Sequence, residues 1–97
     1  MNPGGFGEAV PANQDVKTLA NNMKEQVEHE LGETFEKFDA VLYTTQVVAG
    51  TNYLIKVQVG DERFVHIKVY VPLRVRNAPN ELLMCEGDKS FEDPLVK

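Results

Sequence analysis

Residues 51–59 and 63–71 alternate apolar and other side chains with a period of two. Tyr53, Ile55, Val57 and Val59 share one face of the first stretch, and its alternates include Lys56 and Gln58. Val65, Ile67, Val69 and Val71 share one face of the second, with Phe64, His66, Lys68 and Tyr70 on the other. This periodicity predicts two antiparallel strands joined at Gly60-Asp61-Glu62, with one face on a core and the other in water.

Two valine-rich faces need a cover, and residues 13–31 supply it. Val16, Leu19, Ala20, Met23, Val27 and Leu31 recur in steps of three and four, forming one helical stripe. Asn13 is the predicted N-cap, Asp15 suits the first turn, and Gly32 is the predicted stop. A further strand is predicted from Phe38 to Val48. Pro72 and Pro79 interrupt regular strand between 72 and 81, and Leu82–Cys85 reads as a last strand. The tail from Glu86 is charged and weakly patterned. The expected fold is α+β, with one long helix packed across a meandering antiparallel sheet of four to five strands. Residues 1–97 form a single domain with one core. Residues 1–12 hold Pro3, Gly4, Gly5, Gly7 and Pro11, so they are expected to be an extended, mobile arm.

Charge and composition exclude several classes of function. The formal net charge of −5 argues against nucleic acid, because phosphate binding needs a basic surface. No apolar run approaches the roughly 20 residues of a membrane span. The N-terminal residues lack the basic and apolar regions of a secretory signal. A lone cysteine, Cys85, permits no internal disulfide, which favours a reducing, cytoplasmic location.

Catalytic chemistry finds few parts here. Cys85 with His66 or His29 is a conceivable nucleophile pair, but both histidines read more simply as surface residues. The run Glu28-His29-Glu30 diverges around a helix and has no second histidine at helical spacing, so no metal site is expected. Gly4-Gly5-Phe6-Gly7 lacks the strand–turn–helix context of a phosphate loop. No cofactor is implied.

What remains is an unusual set of surface elements. Gln46-Val47-Val48-Ala49-Gly50 falls at a predicted hairpin tip. Adjacent side chains of a strand point to opposite faces, so only one of Val47 and Val48 can join a core on a single face. Val71-Pro72-Leu73 ends the strand 63–71, and in an antiparallel meander that end lies beside the hairpin tip. If the helix runs antiparallel to the strand that follows it, the N-terminal arm emerges there too. Three apolar or backbone-rich elements would then line one edge as a wedge. Two other readings are open: a longer strand that absorbs the valines, or a sheet edge that binds peptides or exchanges strands to form a domain-swapped dimer.

The motif Gln46–Gly50 followed by Thr51-Asn52-Tyr53 and Ile55-Lys56-Val57 resembles the stefins, the type 1 cystatins. The N-terminal Met-x-Pro-Gly-Gly, Gly60-Asp61 and the strand Phe64–Tyr70 with His66 are similar to that family as well. The resemblance implies a cystatin-like fold and a reversible inhibitor of papain-like cysteine proteases (cathepsins), not an enzyme. It implies that Gly4 is the family's N-terminal glycine, with Gly5 beside it. It implies a first binding hairpin of Gln46, Val47, Val48, Ala49 and Gly50, and a second at Pro72 and Leu73. There the chain departs from the family, with Arg74 after Leu73 where a proline is usual. A monomer is the expected state.

On this reading, Gly4→Trp places a large side chain where the arm must lie close to a cleft wall. The expected outcome is faster dissociation from a papain-like protease with little change in association, measured by progress-curve kinetics.

Overall fold

The computed structural model describes residues 6–73 and 78–95. In chain order the elements are β1 (Val10–Pro11), α1 (Gln14–Asn22), α2 (Lys24–Leu31), β2 (Asp39–Val48), β3 (Gly50–Gln58), β4 (Phe64–Val71) and β5 (Glu81–Lys89). The strands form one five-stranded antiparallel sheet in the order β1-β2-β3-β4-β5. In the centre Ile55 pairs with Ile67 and Val57 with Val65. These four side chains are 0–1 % exposed and form the heart of the core, as the alternation predicts. An irregularity between Ala40 and Leu42 lets both Ala40 and Tyr43 face that core.

The expected single long helix is two. At Met23 the backbone turns to φ −96°, ψ −4°, and its N–H donates to the Ala20 carbonyl at 2.9 Å in the tighter three-residue pattern. Two asparagines, weak helix formers, precede the break. The stripe nonetheless continues across it, because Val16, Ala20, Met23 and Val27 are all buried. The break lets the stripe follow a twisted sheet, with α1 over β2 and α2 over β5. Both predicted ends are present. The Asn13 side chain accepts from the Val16 N–H at 2.9 Å, and Gly32 adopts the left-handed conformation at φ 69°.

The second face of the sheet is the larger correction. It is predicted to face water, with His66 on the surface. Instead Leu54, Lys56, His66, Thr44 and Phe64 are buried there. The reason is that both ends of the described chain fold over it. β5 runs on to Lys89, well past Cys85, and carries residues 90–93 back across the sheet. The Lys56 ammonium donates to the carbonyls of Ser90 at 3.2 Å, Asp93 at 2.7 Å and Phe91, and lies 5.2 Å from the Phe91 ring centroid. A buried cation is tolerated because its donors are used. From the other end, the Thr44 hydroxyl donates to the Gly7 carbonyl at 2.7 Å.

Burial beneath this strap pushes the His66 imidazole down to about 4, and the charges of Lys56 and Lys89 act in the same direction, opposed by Glu86 and Asp93. Above its ordinary value of 6.5 the group is neutral whether the chain is folded or not. Between that value and about 4 the unfolded chain takes up a proton that the folded protein refuses. His66 therefore makes stability fall as pH drops through this window, by roughly 3 kcal/mol in full. In urea titrations at pH 7 and pH 4.5, the wild type should lose about 2 kcal/mol more than His66→Gln. Equal losses would show that His66 does not drive the effect.

Candidate functional site

The β2–β3 hairpin turns at Ala49, with Val48 opposite Gly50, Val47 opposite Thr51 and Gln46 opposite Asn52. The register puts Val47 and Val48 on opposite faces, and both are exposed for apolar residues, Val47 at 74 % and Val48 at 42 %. An apolar tip of this kind gains nothing from water, but it is held firmly. Gly50 has φ 116°, a conformation that disfavours side chains. A Cβ placed there would also meet the Val71 carbonyl oxygen at 2.6 Å and the Tyr70 ring at 2.9 Å. The Tyr70 hydroxyl donates to the Ala49 carbonyl. The Asn52 amide donates to Gln46 Oε1 at 2.9 Å, tying the two strands together below the tip.

Two other elements reach the same end of the sheet. Thr51 pairs with Val71, so β4 ends beside the hairpin and delivers Pro72 and Leu73 there. Pro72 is half-buried and Leu73 is 60 % exposed. The helix does run antiparallel to β2, with Asn13 beside Tyr43 and Lys17 beside Asp39 and Ala40, and the arm that precedes it is held at this end by strand pairing. Val10 lies opposite Tyr43 and Pro11 opposite Leu42, while the Gly7 N–H donates to the Thr45 carbonyl at 3.4 Å. Traced back from Pro11, the chain runs along β2 towards the tip. Gly4 and Gly5 lie outside the described residues, as does Arg74. The structure thus brings Gln46–Gly50, Pro72, Leu73 and the arm at Gly7 to one edge.

The alternative sites are not assembled. Cys85 lies opposite Ile67 and packs on the core face, whereas His66 points to the other side of the sheet. Cys85 does share a groove between α2 and β5 with His29, Glu25 and Glu30. Burial and the Glu30 carboxylate push the thiol up, opposite to the shift that makes a thiolate nucleophile. Among the described residues, no cluster of three or more histidine, cysteine, aspartate or glutamate side chains could hold a metal ion. Among them, too, no helix is long and apolar enough to cross a membrane.

Sequence reasoning missed Tyr70 and Asn52, which support the tip from the second face. Both stand at alternate positions of their strands, a signal that one face is shared. Their meeting at the hairpin became visible only from the pairing of Asn52 with Tyr70.

A profile of the cystatin domain matches residues 4–91. Cystatin-A of Felis catus is 47% identical over 96 residues, which cover 99% of this chain and 98% of that protein. Cystatin-A of Homo sapiens is 43% identical over 96 residues, with the same coverage of 99% and 98%. Leukocyte cysteine proteinase inhibitor 1 of Sus scrofa is also 43% identical over 96 residues, covering 99% of this chain and 93% of its own length.

The geometry at Gly50 makes the tip sensitive to a single methyl group. Gly50→Ala combines a disfavoured φ with contact against backbone, and neither can be relieved by rotating a side chain. It should destabilise the fold by about 2 kcal/mol or more, read as a lower urea midpoint.

Proposed function

This chain belongs to the cystatin family, in its stefin (type 1) branch, and from that premise we propose that it inhibits papain-like cysteine proteases of the cathepsin type. The proposed inhibitor is reversible, tight-binding and monomeric, and acts in the cytoplasm. It needs no cofactor and performs no catalysis. Its binding edge comprises Gly4 and Gly5 of the arm, Gln46, Val47, Val48, Ala49 and Gly50 of the first hairpin, and Pro72 and Leu73 of the second loop.

The observation that carries this reading is the exposed Val47-Val48 pair on a hairpin held from behind by Tyr70 and Asn52, at a turn where only Gly50 fits. Exposed valines gain free energy only when a partner covers them. Because the tip is already ordered, little conformational entropy is lost on docking, and apolar burial appears as affinity. A standard protease–inhibitor interface needs about 800 Å² from each partner. Two valines cannot supply that area, so the arm and Leu73 are required beside them. The three elements together enter the protease cleft as a wedge. No scissile peptide is laid on the nucleophile, so the protease is blocked and the inhibitor stays uncut.

Titration of papain with the protein tests this reading, and stoichiometric loss of activity is expected. Replacing Val47 and Val48 together by Asp should abolish inhibition while leaving circular dichroism unchanged and melting nearly so, because Val47 is mostly in solvent and Val48 is part-exposed. Full inhibition by the double variant would remove the first hairpin from the binding edge.

A further inference from the structure

We infer that Tyr70 is a positioning residue for the first hairpin, its hydroxyl setting the orientation of the Ala49–Gly50 peptide and so the aim of Val47 and Val48. This inference rests on the inhibitor reading and adds a residue to those named for the binding edge. Tyr70 stands on the second face of β4, opposite Asn52 of β3 and Glu81 of β5. Its hydroxyl donates to the Ala49 carbonyl, 21 residues away in sequence. Its ring edge and hydroxyl are also the side-chain atoms that a Cβ on Gly50 would strike.

Those contacts act on one peptide group. Ala49 contributes the carbonyl and Gly50 the N–H of the turn. A glycine at φ 116° has wide backbone freedom of its own, so Gly50 permits the turn without enforcing one orientation of the adjoining peptide. Flipping that peptide is what converts one tight hairpin turn into another. A hydrogen bond to the Ala49 oxygen opposes the flip. The Tyr70 ring, standing against Gly50, limits the room in which the turn can move. Val48 precedes the held peptide and Val47 precedes Val48, so their directions depend on it. The Asn52–Gln46 hydrogen bond secures the strands below the tip but does not touch the Ala49–Gly50 peptide. Orientation at the tip therefore depends on Tyr70.

Tyr70→Phe keeps the ring and removes only the hydroxyl. Three readouts are taken on the purified wild type and variant: papain association and dissociation rates, amide hydrogen exchange at Gly50 and Thr51, and thermal melting. The expected result is roughly three- to tenfold faster dissociation, the factor that one net hydrogen bond carries. Association should stay within about twofold, since related complexes differ mostly in dissociation. Exchange at Gly50 should accelerate more than exchange at Ile55 and Ile67 in the core, and the melting temperature should fall by no more than the few degrees that one net hydrogen bond accounts for. Unchanged dissociation together with unchanged exchange at the tip overturns the inference. So does a rise in exchange as large in the core as at the tip, with a larger fall in melting temperature, which would make Tyr70 a plain structural residue. If the wild type fails to inhibit papain, the inhibitor reading is what fails. Exchange at Gly50 then decides by itself whether Tyr70 holds the tip.

Discussion

The pairing of Ile55 with Ile67 anchors everything else in this protein. Both side chains are completely buried against the helices. Because strand side chains alternate, that one register assigns every neighbour to a face. It sends Val57, Val65 and Val69 to the helices. It sends Leu54, Lys56, His66 and Tyr70 to the opposite side. It also brings Thr51 beside Val71, so the β2–β3 tip and the end of β4 lie together. A slip of one residue would lose the core, the second face and the proposed binding edge at once.

The second face explains how so small a protein ties down its tip. Its burial comes from Phe6 and Gly7 at one end and residues 90–93 at the other, not from another layer of secondary structure. Lys56 is central to that arrangement. Its apolar stem crosses the buried face, and its ammonium binds the carbonyls of the strap. His66 remains neutral beside it, with Nε2 buried and unpartnered among the described residues. The face that carries this polar cluster also carries Tyr70 and Asn52, so the sheet braces the tip from the side away from the helices. A braced tip can leave Val47 and Val48 in water without collapsing onto the protein's own surface.

Much of this was legible in the chain. The alternation at 51–59 and 63–71, the stripe from Val16 to Leu31, the Asn13 cap and the Gly32 stop all act locally or with a fixed period. The apolar Gln46–Gly50 tip stood out because a solvent-facing turn is usually polar. The break at Met23 was not legible, since the stripe runs through it without interruption. The buried second face was hidden for a different reason. Lys56 and His66 alternate with valines as surface residues do, and weakly patterned residues 86–93 gave no hint that they return over the sheet.

The sequence by itself determined the α+β class, the faces of the central strands and the residues of the hairpin tip. Periodicity and turn chemistry are local, and a single chain displays them. The tertiary structure decided which polar residues are buried, how the arm reaches the tip and what holds Ala49 in place. Those outcomes depend on contacts between residues distant in sequence: Lys56 with residues 90–93, Gly7 with Thr44, and Tyr70 with Ala49. Such contacts form only when the register has set the strands side by side, and no local pattern encodes them.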